Sequence, residues 1–73
     1  MKVVVNNNVY EMGDKAYKGV LEVARQQVPF GIYAVEKDRM CELRKDKCRD
    51  EKELNALSTD FIKNGFKVYV NGR

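Results

Sequence analysis

The sequence predicts a single α+β domain spanning residues 1–73, in which a mainly antiparallel sheet carries two helices on one face. Three features predict this two-layer sandwich. An uncharged run rich in β-branched and aromatic residues, Val28–Val35, is typical of an interior strand. Two other segments repeat apolar residues at three- and four-residue spacing, which is typical of amphipathic helices. Short alternating segments flank these helices, so the predicted element order is β-β-α-β-β-α-β.

The chain opens with a predicted hairpin. Lys2–Val5 forms its first strand and Val9–Met12 its second, and Asn6-Asn7-Asn8 lies between them. Asparagine tolerates the positive φ that the central residues of a tight hairpin turn require. The asparagine triplet therefore predicts a tight turn.

The first helix is predicted over Lys15–Gln27, with Asp14 as its N-terminal cap. Gly19 lies inside this helix, where glycine costs about 1 kcal/mol relative to alanine, so it predicts the close approach of another element. Pro29, the only proline of the chain, disfavours helical geometry at Val28 and ends the helix. The predicted buried stripe consists of Ala16, Tyr17, Val20, Leu21, Val23 and Ala24.

The central strand continues into Glu36, and a polar turn at residues 37–39 leads to a fourth strand, Met40–Leu43. Residues 44–49 are then predicted to form a charged loop. Alternation along the central strand separates two sets of residues, Phe30, Ile32 and Ala34 on one face and Gly31, Tyr33 and Val35 on the other.

The second helix is predicted to begin with a capping box formed by Asp50 and Glu53 and to end in a left-handed cap at Asn64-Gly65. Its buried stripe is Leu54, Leu57, Phe61 and Ile62. The last strand, Phe66–Val70, alternates, with Phe66, Val68 and Val70 inward and Lys67 and Tyr69 outward.

The composition argues against an enzyme. The chain has no histidine, one serine and one threonine, and neither a glycine-rich phosphate loop nor a nucleophile elbow. Cys41 and Cys48 do not have a common zinc spacing, so we expect reduced thiols, no metal and no cofactor. No segment is typical of a signal peptide or approaches the roughly 20 apolar residues of a membrane span, which predicts a cytoplasmic protein.

A basic segment is the first candidate binding site. Residues 39–49 contain five basic and two acidic residues, an excess that favours a phosphate or a nucleotide. Residues 36–53 contain seven of each, which favours a solvated loop over a ligand site. The candidate ligand-binding residues of this segment are Arg39, Arg44, Lys45 and Arg49.

The sheet face predicted to point away from the helices is the second candidate. Its residues are Tyr33, Val35, Lys67, Tyr69 and Val4. An exposed apolar surface of this kind marks an interaction site. It is either a subunit interface, where tyrosine is enriched, or an aromatic platform on which nucleic-acid bases stack beside Lys67 and Arg44. The thin core of a short chain favours the interface, and an edge at the last strand is open to another chain, so we expect a homo-oligomer.

Several segments resemble short phage and prophage proteins of Gram-positive bacteria. They are Val5-Asn6, Tyr10-Glu11-Met12, Gln27-Val28-Pro29-Phe30-Gly31-Ile32-Tyr33-Ala34-Val35-Glu36 and Gly65-Phe66-Lys67-Val68-Tyr69. The resemblance spans most of the chain, and its motifs are structural. It implies an accessory phage protein, in the host cytoplasm, that blocks a host protein or takes up a nucleotide signal of bacterial defence.

The sequence therefore supports a small non-catalytic, oligomeric binding protein that inhibits a host factor or sequesters a nucleotide-type defence signal. The expected partner is a host protein or a small anionic nucleotide, and no membrane. The alternative is a nucleic-acid-binding module that uses the aromatic and basic sheet face. The predicted ligand-binding residues are Tyr33, Arg39, Arg44, Lys45, Arg49, Lys67 and Tyr69.

Overall fold

A computed structural model describes residues 1–72, and these residues form five strands and two helices. The α+β class and the predicted order β-β-α-β-β-α-β are confirmed. The elements are β1 (Lys2–Val5), β2 (Asn8–Glu11), α1 (Asp14–Gln27), β3 (Gly31–Lys37), β4 (Met40–Lys47), α2 (Glu51–Lys63) and β5 (Lys67–Asn71).

All five strands lie in one mixed sheet, in the order β2-β1-β4-β3-β5. β1 and β4 are parallel neighbours, and the other neighbouring pairs are antiparallel. β3, which contains most of the uncharged run, lies between β4 and β5, and β2 and β5 form the edges. The interior position of β3 agrees with its two apolar faces.

Two tight turns connect the hairpins of the sheet. Asn6 and Asn7, with φ of 50° and 67°, join β1 to β2. Asp38 and Arg39, with φ of 52° and 62°, join β3 to β4. Two consecutive residues at positive φ match the right-handed twist of the flanking strands. The hairpin predicted from the asparagine triplet is confirmed.

The two helices pack against opposite faces of the sheet, whereas the sequence predicted both on one face. Leu54 of α2 packs in a cluster that includes Val68 and Val70 of β5. Tyr17 of α1 belongs to a second cluster, which includes Tyr69, the β5 residue between those two valines. Because successive residues of a strand point to opposite faces, the two clusters lie on opposite sides of the sheet. The molecule therefore has three layers.

An irregularity in β3 explains why strict alternation assigned the wrong faces. The pairing of β3 with both neighbouring strands shifts register between Ile32 and Ala34. Consequently Ile32 and Val35 share the α2 cluster, while Tyr33 and Ala34 both join the α1 cluster. A shift of one residue moves every later side chain to the other face, so the predicted inward and outward sets are mixed.

The ends of α2 follow the prediction, and the start of α1 does not. The Asp50 carboxylate accepts a hydrogen bond from the Glu53 N–H at 2.8 Å, and Gly65 adopts a φ of 85°, so the Asp50 cap and the left-handed cap at the end of α2 are confirmed. The Glu53 carboxylate lies 3.5 Å from Arg49 and does not complete the predicted capping box. At α1 the cap position is Gly13, which has no side chain to offer. Asp14 lies in the first turn instead, where the helix dipole favours a carboxylate.

Several predicted burial and boundary assignments are wrong. β4 extends to Lys47, so most of the predicted charged loop is strand. Val23 and Ile62, assigned to buried helix stripes, are 55% and 61% exposed. Gly19 is also exposed, and no atom of another element lies within 4 Å of the position where a Cβ would stand. The space beside Gly19 and Val23 belongs to an open groove along α1.

Candidate functional site

The predicted exposed sheet face does not exist, because each of its residues lies on a face that a helix partly covers. Tyr33 and Tyr69 are half-buried in the α1 cluster, with ring centroids 5.9 Å apart. Val35 is 2% exposed and lies on the other face, in the α2 cluster. Lys67 is exposed, with its Nζ 5.0 Å from the centre of the Tyr69 ring. Nothing resembling a flat aromatic platform is formed by these side chains.

The Glu36 carboxylate of β3 binds the hydroxyl groups of two tyrosines, Tyr17 of α1 and Tyr69 of β5. The Tyr17 hydroxyl donates to Glu36 Oε1 at 2.8 Å, and the Tyr69 hydroxyl donates to the same oxygen at 3.2 Å. Burial is the main cause that raises the pKa of Tyr17 above its ordinary value, and hydrogen bonding adds to it. Burial likewise raises the pKa of the neighbouring Cys41 thiol. This cluster joins α1, β3 and β5, and it has a structural role.

The predicted basic residues are not brought together either. Arg39 lies at the tip of the β3–β4 hairpin, and Arg49 is 93% exposed beside α2, 3.5 Å from the Glu53 carboxylate. Arg44 and Lys45 are adjacent in β4, so they point to opposite faces of the sheet. A single phosphate therefore cannot contact all four residues at once.

The guanidinium of Arg44 is already engaged. It donates to Glu42 Oε1 at 2.5 Å and forms a second ion pair with the Asp46 carboxylate. Its central carbon lies 4.9 Å from the centre of the Phe61 ring of α2. These contacts hold the pKa of Arg44 above its ordinary value, chiefly through the hydrogen bond to Asp46. Arg44 thus serves the packing of α2 against β4.

An open groove of about 850 Å³ lies between α1, the end of β1 and the middle of β4. Most of its lining is apolar, and its margins carry amide side chains and a lysine that forms no ion pair with any other residue of the range 1–72. The lining residues are Val5, Asn6, Ala16, Gly19, Val20, Val23, Ala24, Gln27, Leu43, Arg44 and Lys45.

The groove exists because two neighbouring strands differ in length. β1 has four residues and β4 has eight, and their pairing stops at Val4–Glu42. Beyond that pair the chain leaves the sheet through the Asn6–Asn7 turn, while β4 continues under α1. Gly19 and Ala16 of α1 add little side-chain volume above this gap, so it stays open.

A smaller, more polar notch of about 260 Å³ adjoins the groove at the same end of β1. The two cavities share Asn6, Leu43, Arg44 and Lys45. The notch also contains both carboxylates that hold Arg44, from Glu42 and Asp46, together with Val4 and Asn7. Together, the groove and the notch form a site with an apolar part and a charged part.

Sequence reasoning found Arg44 and Lys45 of this site and missed most of the rest. Val5, Asn6 and Leu43 were assigned only to strands and a turn, because the gap beside β1 depends on strand pairing that periodicity does not give. Gly19 could have indicated the groove, but it was interpreted as a close contact with another element. The space beside it is open instead.

Within residues 1–72, neither helix is long and apolar enough to cross a membrane. The same part of the chain holds no group of three or more His, Cys, Asp or Glu side chains suited to a metal ion. The chain matches no protein-family model, and comparisons with curated proteins and with solved structures also find no match.

Proposed function

We propose that this chain is a small non-catalytic binding protein that sequesters a nucleotide-type ligand in the groove beside α1. The observation that carries the proposal is the groove itself, an open and mostly apolar cavity of about 850 Å³ in a chain of 73 residues. Small-molecule sites are typically concave, mostly apolar cavities of about 300–1,000 Å³ with a few polar groups that fix orientation.

The lining suits a planar heterocycle. Val20 and Val23 of α1 stand on one side of the groove, and Val5 and Leu43 of the sheet stand on the other. Asn6 and Gln27, whose side chains end in amides, also belong to the lining. An amide has both a donor and an acceptor, which is the chemistry needed to read the edge of a base.

The location of the groove supports the same ligand class. β1 and β4 are parallel, and Val5 and Asn6 lie at the carboxyl end of β1. Ligands of open sheets with parallel strands bind outside the carboxyl ends of those strands, where the neighbouring connections diverge.

The side chains that line the groove suit binding of a ligand rather than its chemical conversion. The groove lining contains no serine, threonine or cysteine, and no carboxylate that could act as a base. The resemblance to small phage proteins supplies the proposed setting, in which removal of a host nucleotide signal is the useful act. The nucleic-acid alternative has less support, because Tyr33 and Tyr69 lie in the α1 cluster instead of forming an open platform.

Isothermal titration with purine and pyrimidine nucleoside monophosphates tests the proposal. We expect at least one of them to bind with a Kd below about 1 mM. Val23→Trp places an indole in the groove, and we expect it to weaken that binding at least about tenfold. Val9→Trp is the matched control, because Val9 is similarly exposed (60%) and lies outside the groove.

Two results would contradict the proposal. One is a wild-type protein that binds no member of the panel at millimolar concentration. The other is a Val23→Trp variant that is folded by circular dichroism and binds as tightly as the Val9→Trp control.

A further inference from the structure

We infer that Lys45 binds a single phosphate of the groove's ligand and that the adjoining notch rejects further phosphates, so that the site selects nucleoside monophosphates. This inference rests on the proposed function and specifies the ligand more narrowly. It follows from how charge is distributed between the two cavities.

Lys45 is the cation that the groove leaves available. Arg44 is the other basic residue of the lining, and its guanidinium is bonded to Glu42 and Asp46. Lys45 is exposed, lines both cavities, and lies on the opposite face of β4 from Arg44. No acidic residue belongs to the groove lining, so an anion beside Lys45 meets no repulsion from the groove itself.

Apart from Lys45, the charged residues that line the notch are Glu42, Asp46 and Arg44. Glu42 and Asp46 together bear two negative charges, and Arg44 between them bears one positive charge. The group therefore has a net charge of about −1, which repels an anion that extends past Lys45. A β- or γ-phosphate would approach these carboxylates, whereas a single phosphate would remain at the lysine.

The predicted preference is the reverse of what simple charge attraction gives. The protein has a net charge of +3, so non-specific attraction would favour the more highly charged ATP over AMP. A site of the inferred kind favours AMP over both adenosine and ATP. The order of affinities therefore separates a built subsite from general electrostatic attraction.

The test is isothermal titration of adenosine, AMP and ATP, and in parallel of the guanosine series, at one ionic strength. We expect the monophosphate to bind about tenfold more tightly than the nucleoside, as one charge-assisted hydrogen bond provides, and more tightly than the triphosphate. Lys45→Gln should remove the gain from nucleoside to monophosphate. Lys47→Gln, two residues along the same strand face, is the matched control and should retain it.

A second variant tests the notch. Glu42→Gln removes a carboxylate that is half-exposed, and it should raise the affinity for ATP relative to AMP. Equal binding of adenosine and AMP, or tighter binding of ATP than AMP by the wild type, would overturn the inference and leave the groove proposal standing. Failure of every nucleoside and nucleotide to bind would instead overturn the proposed function.

Discussion

Gly19 and Gly31 have opposite environments, although both belong to regular secondary structure. Gly19 is exposed in the middle of α1, and a Cβ there would meet no atom of another element. Gly31 begins β3 at a φ of +148°, and a Cβ there would collide with the backbone carbonyl of Asp46. One glycine is therefore dispensable for the fold, and the other is required by backbone conformation and space.

The paired substitutions Gly19→Ala and Gly31→Ala should change stability in opposite directions. Alanine at position 19 should raise the free energy of unfolding by about 1 kcal/mol, the difference in helix propensity. Alanine at position 31 should lower it by about 2 kcal/mol or more, because both the φ and the carbonyl oppose a side chain. Urea denaturation measures both changes, and a destabilised Gly19→Ala variant would contradict the open space at α1.

Tyr17 and Cys41 make stability depend on alkaline pH. Burial raises the pKa of both groups in the folded protein above their ordinary values of about 10 and about 9. At high pH the unfolded chain loses these protons while the folded chain keeps them. The stabilisation is therefore complete below the ordinary pKa values and declines as pH rises above about 9, by up to about 1.4 kcal/mol per pH unit for each group.

A Tyr17→Phe variant isolates the tyrosine's share of this pH dependence. At pH 7 it should be less stable by about 1 kcal/mol, because Glu36 loses a hydrogen bond. Above pH 10 its free energy of unfolding should fall less steeply than that of the wild type. Urea titrations between pH 7 and pH 11 measure the two slopes, and identical slopes would show that Tyr17 ionises alike in both states.

At the scale of elements, the two helices differ in how their first turns are closed. Asp50 caps α2 through its carboxylate, whereas α1 starts from Gly13 without a capping side chain. Asp50→Ala should therefore cost about 1 kcal/mol of stability. Asp14→Ala should cost only a few tenths, the contribution of a first-turn charge to the helix dipole. Thermal unfolding compares them, and equal losses would contradict this assignment of the caps.

Local signals predicted the elements well, because they depend on neighbours in the chain. The asparagine triplet, the Asp50 cap and Gly65 each act within a few residues, and each forms as predicted. The loop predicted after Leu43 was wrong, because Glu42, Arg44 and Asp46 form ion pairs along one face of β4. Such pairing turns an apparent loop into a strand.

The faces of the sheet could not be predicted, because they depend on a register shift between strands. The shift at Ile32 and Ala34 carries Tyr33 to the α1 side and Val35 to the α2 side. The helices lie on opposite faces, which leaves no whole sheet face open. The candidate site consequently lies in the gap where β1 ends before β4, and not on the sheet surface.

At the scale of the whole molecule, β5 is an edge strand within the described chain, so self-association through it stays a prediction. Val68, Tyr69 and Val70 are only half-buried there, and Lys67 is the one charge of the strand. If copies pair along β5, its amide hydrogens should exchange more slowly at about 500 than at about 5 micromolar protein, while those of β2 should not change. Light scattering that shows a monomer at both concentrations would exclude such pairing.

The groove beside α1 is where strand length, helix placement and charge act together. A short β1, a long β4 and the exposed side of α1 create the cavity, and Lys45 supplies its free charge. Its proposed function as a nucleotide site is therefore a property of the assembled fold rather than of any one segment.

An NMR titration of ¹⁵N-labelled protein with AMP tests this assignment most directly, because every backbone amide reports at once. We predict saturable shifts at Asn6, Gly19, Val23 and Lys45, and none at Arg49, which lies outside the groove. Shifts confined to residues outside the groove, or no saturable shift at millimolar AMP, would contradict it.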